Sequence, residues 1–153
     1  MQDVIKMRGA IELALQNAHT GEEILRRKVD NLVVTTGRRF ALQQICSQVM
    51  VTSHSIGYMA VGTGTAAPAT SDSALGSETT RKTIGTFTTT NLTSNPPSWM
   101  AVVSYATNEA NTTLGEAGLF NSSSGGTMLN RGTFTTLNKT TSNTLTISYT
   151  VSN

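Results

Sequence analysis

Polar and apolar residues alternate strictly near both ends of the chain. Leu145, Ile147, Tyr149 and Val151 interleave with Thr144, Thr146, Ser148 and Thr150, the period of a strand with one face in a core. Ile11, Leu13 and Leu15 interleave in the same way with Glu12, Ala14 and Gln16. Asn17 to Gly21 then has turn composition, and EEILRRKVDNLVV returns with its charged middle outward and Leu32 to Val34 re-entering the core. The pattern predicts a long β-hairpin over 8–35. A helix over 9–29 also fits the spacing of Ile11, Leu15 and Leu25, but Thr20-Gly21 in its middle is a poor helix interior.

A different period governs GRRFALQQICSQVM, residues 37–50. Ala41, Leu42, Ile45, Cys46 and Val49 recur at steps of three and four, so one apolar helix face is predicted, with Thr36 as its N-cap and Phe40 and Leu42 buried across an opening of the sheet layers. Alternation resumes at Ile56 and ends at the Gly62-Thr63-Gly64 turn. Asp72 to Glu78 suits one helical turn, capped by Asp72 and anchored by Leu75. Thr83 to Thr93, Thr-rich with single large residues Ile84, Phe87 and Leu92, predicts an edge strand stopped by Asn95-Pro96-Pro97. Trp99 to Tyr105 predicts a central strand. Leu114 to Phe120 and Thr127 to Thr136 predict a hairpin about the loop NSSSGG.

These segments amount to seven or eight strands. They predict a mainly β protein, a two-layer β-sandwich or jelly-roll-like barrel carrying an N-terminal hairpin and one helix. With 153 residues and no evident linker, the chain is expected to be a single domain, 1–153: hairpin 1–35, helix 37–50 and sandwich 56–153. Composition agrees. Only 13% of residues are charged, so the polar surface falls mostly to Thr, Ser, Asn and Gly, which suits pleated strands and turns better than solvated helices.

Charge narrows the partners. A net charge of +2 with no continuous basic run does not suggest a nucleic-acid binder. Seven of the eleven Lys and Arg residues do precede residue 50. Among them Arg26, Arg27 and Lys28 are either guard charges on a strand edge or a basic patch for an acidic partner. No apolar run reaches the roughly 18 residues of a membrane span, and MQDVIKMRGA lacks the apolar core of a signal peptide. A soluble chain made in the cytoplasm is therefore expected, and the Asn-x-Ser/Thr sequons at Asn91, Asn111, Asn121 and Asn138 follow from Asn/Thr-rich loops. Cys46, the one cysteine, reads as a small buried hydrophobe.

Set against the residues each chemistry needs, enzymatic readings find little. Gly62-Thr63-Gly64 has no third glycine at the offset of a dinucleotide fingerprint, and Pro68 follows where a helix should start. His19 and His54 sit at no metal-ligand spacing, and no serine occupies a Gly-x-Ser-x-Gly elbow. Asp72, Glu109 and Glu116 could pair as carboxylates for glycoside hydrolysis, but sequence gives no separation. A sugar-binding face would offer more aromatics than Trp99 and three tyrosines, two of them on predicted core faces. No catalytic residues, metal or cofactor are expected.

Glu116 stands out. In TLGEAGLF a carboxylate lies between Leu114 and Leu119-Phe120, where it risks burial, and a buried carboxylate needs a partner. Arg131 on the following hairpin arm is the nearest cation if NSSSGG reverses the chain. A structural Glu116–Arg131 pair is one reading; two solvated side chains is the other.

The order of these motifs resembles that of tailed-bacteriophage structural proteins, including collar-type tail-fibre attachment domains. Glu116, Gly118, Leu119 and Phe120 match a Glu-x-Gly-Leu-Phe strand, Leu129 and Arg131 a Leu-x-Arg strand, and Lys139 with Leu145 to Val151 the closing strand. Upstream, Gly62, Gly64, Asp72, Leu75 and Arg81 match the Gly-Thr-Gly, Asp-x-x-Leu and Arg elements, and the HTGEE hairpin and NLVVTTGRRFA helix start are also similar. The resemblance implies a non-catalytic virion protein of tail-fibre or collar type. A capsid cement protein decorating the head is the alternative, and a carbohydrate-binding module a weaker one. Fibre proteins continue into a shaft where this sequence stops at Asn153, so an attachment or adaptor module is expected. Its partners would be copies of itself, a trimer first, and other tail, neck or capsid proteins. The interface candidates are Arg26, Arg27 and Lys28 and the loop serines Ser122, Ser123 and Ser124.

Overall fold

The computed structural model describes residues 7–46, 55–91 and 97–152. In chain order the elements are β1 (Arg8–Asn17), β2 (Glu23–Val33), α1 (Thr35–Cys46), β3 (Tyr58–Gly62), β4 (Glu78–Thr83), β5 (Thr86–Asn91), β6 (Ser98–Tyr105), β7 (Thr113–Phe120), β8 (Met128–Asn138) and β9 (Asn143–Ser152). The mainly β, barrel-like architecture with one helix is as the sequence predicts. The nine strands of the described residues join one antiparallel sheet in the order β4-β3-β7-β8-β2-β1-β9-β6-β5, curled so that its two halves face each other as layers.

The predicted N-terminal hairpin is β1 and β2, paired from Gly9–Asn31 to Gln16–Glu23 with a bulge after Leu15. β9 shows why strict alternation is so legible: its residues are buried and half-buried in turn along its whole length. Against β1 it aligns Tyr149 with Ile11, Ile147 with Leu13 and Leu145 with Leu15. These side chains, with Val103 and Tyr105 of β6, meet Met59, Val61, Ala117, Leu119, Leu129 and Phe134 of the opposite layer. Each such aliphatic side chain contributes roughly 1.5–3 kcal/mol by leaving water. Two tyrosines span the layers: Tyr149 Oη donates to Ala117 O and Tyr105 Oη to Met59 O, both at 3.2 Å. Burial pushes both phenols up, out of reach of ordinary ionisation.

The layers are joined narrowly. On one side β2 pairs with β8 only through Leu32–Arg131 and Val33–Asn130, and beyond that fork the Arg27 guanidinium donates to Thr135 O across the gap. On the other side, Ile84 and Gly85 lead straight from β4, at one end of the sheet, to β5 at the other. Lys82 reinforces this side, donating to Ser104 O at 3.0 Å and to the Glu109 carboxylate at 2.6 and 2.8 Å.

Four local expectations are corrected. The strand predicted over 83–93 is present at a sheet edge as β5 but begins only at Thr86, because the chain changes layers at Ile84-Gly85, and β4, which ends at Thr83, is a strand the pattern does not predict; Leu92 lies outside the described residues. Asp72 to Glu78 forms no helical turn. Asp72 Oδ2 instead accepts from Ala69 N at 2.9 Å, although Leu75 is buried as expected. Thr36 does not cap α1; its hydroxyl donates to Met128 O at 3.2 Å. Leu42 is not buried with Phe40, which is 7% exposed, but is 58% exposed. The helix meets the sheet through its first turns, where Gly37 sits so close to Leu129 that a Cβ would lie 2.0 Å from its carbonyl oxygen. The described helix ends at Cys46; the side chains of Ile45 and Cys46, and residues Val49 and His54, lie outside the described residues.

Candidate functional site

The layer holding β7 and β8 has a second covered face. Val34, Ala60, Leu75, Phe120 and Met128 cluster there, beneath the excursion that links β3 to β4. A side chain on the β7 face next to this cluster is therefore sealed between sheet and loop. Glu116 occupies that place, fully buried.

Its carboxylate has four protein donors. Gly64 N (3.1 Å) and Ser77 N (2.7 Å) donate to Oε1, and Gly76 N (2.9 Å) and Arg131 Nε (2.8 Å) to Oε2. Arg131, 4% exposed, is engaged through its other two nitrogens as well: Nη1 donates to Asp72 Oδ2 at 2.8 Å and Nη2 to Ala66 O at 3.2 Å. Burial alone would raise the Glu116 carboxyl, but the amides of Gly76 and Ser77, then the guanidinium, outweigh it and hold it below the ordinary carboxylate range. Asp72 is also lowered, first by the Ala69 amide and then, against burial, by Arg131. Burial opposes the charge on Arg131, but Asp72 and Glu116 overcome it and raise its pKa.

The Glu116–Arg131 pair read from the sequence is thus present as a buried contact, and the alternative of two solvated side chains is not. Asp72, flagged separately as a cap and as a possible paired carboxylate, is its third member. The Gly62-Thr63-Gly64 turn gains a reason too. A Cβ on Gly62 would lie 2.8 Å from Glu116 Oε1, and one on Gly64 only 2.3 Å from it. The glycines make room for the carboxylate, a role that spacing alone does not announce.

Arg81 extends the cluster. Its guanidinium lies 3.7 Å from the centroid of the Phe120 ring, pairs with Glu78, and donates through Nη1 to Ser122 O (2.9 Å) and Gly125 O (2.8 Å). The loop carrying Ser122, Ser123 and Ser124 is consequently pinned at its base, with Ser123 and Ser124 exposed above it. Lys139 forms a further buried node, donating to Ala106 O (2.7 Å), Asn111 Oδ1 (3.0 Å) and Asn143 O (3.1 Å). Burial pushes its ammonium down, with the Glu109 charge pulling the other way.

The other candidates lie apart. Arg26, on β2, pairs with Glu12 and Glu23 at the surface, and Arg27 reaches β8 as described; Lys28 is exposed. His19 sits in the exposed turn after β1. Glu109 belongs to Lys82, away from Glu116 and Asp72. Among the described residues no group of three or more His, Cys, Asp or Glu could hold a metal ion, and no helix is long and apolar enough to cross a membrane. No protein-family model, curated protein or solved structure matches the chain.

Proposed function

We propose that the chain is a non-catalytic structural component of a tailed-phage particle, an attachment or adaptor module of tail-fibre or collar type. The supporting observation is where its motifs meet. Gly62, Gly64, Asp72, Leu75, Arg81, Glu116, Gly118, Phe120 and Arg131, scattered over 70 positions from 62 to 131, assemble into one interlocked unit on the covered face of β7 and β8. Every charged group in it is consumed by protein partners, so its chemistry serves to hold loop to sheet, as a module that must keep its shape while docked requires.

Antibody raised against the purified chain, imaged by negative-stain microscopy on phage particles, tests the reading. Label at the tail or neck is expected. Label spread over the head would replace it with a head decoration protein, and particles without label would overturn both. Light scattering on the purified 16.2 kDa chain reads its self-association directly: a stable oligomer supports symmetric docking of copies, whereas a monomer assigns assembly to a partner surface.

A further inference from the structure

Beside the pinned serine loop lies an open groove of about 510 Å³, lined by Ser55, Tyr58, Thr83, Asn121, Ser122 and Ser123. We infer that this groove binds a neutral glycan. Among the described residues its lining carries hydroxyls, an amide and one aromatic ring, with no charged side chain. A phosphate or carboxylate ligand would find no free cation among the described residues, because the Arg81 guanidinium beneath the loop is spent on Glu78, Phe120 and two carbonyls. An apolar ligand would strand the hydroxyls.

The loop is also built to keep its shape. Thr127 N donates to Asn121 Oδ1 at 2.6 Å, Asn121 N to Thr127 O at 3.2 Å, and Gly57 N to Phe120 O at 3.0 Å, which ties the groove wall to β7. Gly125 and Gly126 adopt positive φ of 56° and 73°, and a Cβ on Gly126 would stand 2.5 Å from Asn121 Oδ1. Among the described residues the hydroxyls of Ser55, Thr83, Ser122 and Ser123 donate to no protein group, although Thr83 is held in β4 and the Ser122 carbonyl is held by Arg81. Hydroxyls without protein acceptors around a half-buried ring suit a polyhydroxylated ring that stacks on Tyr58 and exchanges hydrogen bonds with the rim. Tyr105 and Tyr149 are sealed in the core, whereas Tyr58 packs on the Phe120 cluster, is half-buried and lines the groove.

The experiment is a titration of the isotope-labelled chain with maltohexaose, triacetylchitotriose and trigalacturonic acid, followed by amide chemical shifts. Saturable shifts with at least one neutral sugar, confined to 55–58, Thr83 and 121–126, are expected. Tyr58→Ala should raise Kd about tenfold or more, with Trp99 fluorescence and the amide shifts remote from the groove unchanged at a temperature well below melting. Ser123→Asp, on the exposed rim, should weaken binding without touching the fold. Absence of saturable shifts with both neutral sugars, tighter binding of the acidic one, or undiminished binding by Tyr58→Ala would each overturn the inference. None of these outcomes depends on whether the chain is found on a phage particle.

Discussion

Gly64 and Glu116 are fitted to one another: the Gly64 amide donates to Glu116 Oε1, and the space a Cβ would need on Gly64 is the space that oxygen fills. The carboxylate cannot swing aside, because Gly76, Ser77 and Arg131 hold its other lone pairs. Gly64→Ala should therefore cost about 3 kcal/mol in urea unfolding, at the upper end of overpacking penalties. Gly57→Ala, where nothing lies within 4 Å of the added methyl, should stay within about 0.5 kcal/mol. Equal effects at the two positions would contradict the fit.

Glu116→Gln leaves a buried guanidinium with Asp72 as its one remaining carboxylate, and sets an amide NH₂ against backbone N–H donors. Destabilisation of about 3 kcal/mol is expected. Replacing both partners, Glu116→Leu with Arg131→Met, should cost less than the sum of the two single changes, because neither then strands a buried charge. A strictly additive double mutant would show that the two residues do not act as a pair.

The acid limb of stability follows from the same groups. Glu116, Asp72 and Glu109 are all held below their ordinary values, so the unfolded chain takes up protons first, near pH 4 for free carboxylates. Their stabilisation is complete above that pH and disappears as pH falls through the lower folded-state values. Melting temperature should be level between pH 5 and 7 in this respect and fall below about pH 4, less steeply in Glu116→Gln. A mutant slope equal to the parent's would exclude Glu116 from the titration.

The helix gives a contrast within three residues. Phe40→Ala should cost about 3–4 kcal/mol, whereas Leu42→Ser, at a 58% exposed position, should change the unfolding midpoint by no more than about 0.5 kcal/mol. A large loss at Leu42 would mean that the helix packs through its other face.

Strands were legible wherever one face is dry and the other wet, as in β1 and β9, because burial then writes a period of two into the chain. β7, buried on both faces from Leu114 to Phe120, carries no such alternation; there the intrusive charge of Glu116 was the signal. Leu42 misled because a three-and-four spacing identifies an apolar helix face without showing whether the sheet reaches it. The Asp72 contact was hidden for another reason: 59 residues separate it from Arg131, and only the folded path of the β3–β4 excursion closes that distance. The glycines at 62 and 64 look like any turn until the oxygen they accommodate is in place.

The link at Ile84-Gly85 has a mechanical consequence. The layers resemble the boards of a book whose spine is two residue pairs, Leu32–Arg131 and Val33–Asn130, and whose fore-edge is closed by this covalent clasp. The chain crosses between the boards again at 106–112 and 139–142, so opening about the spine would strain three crossings at once. A single cut between Ile84 and Gly85 would release the fore-edge and leave the volume held by the other two.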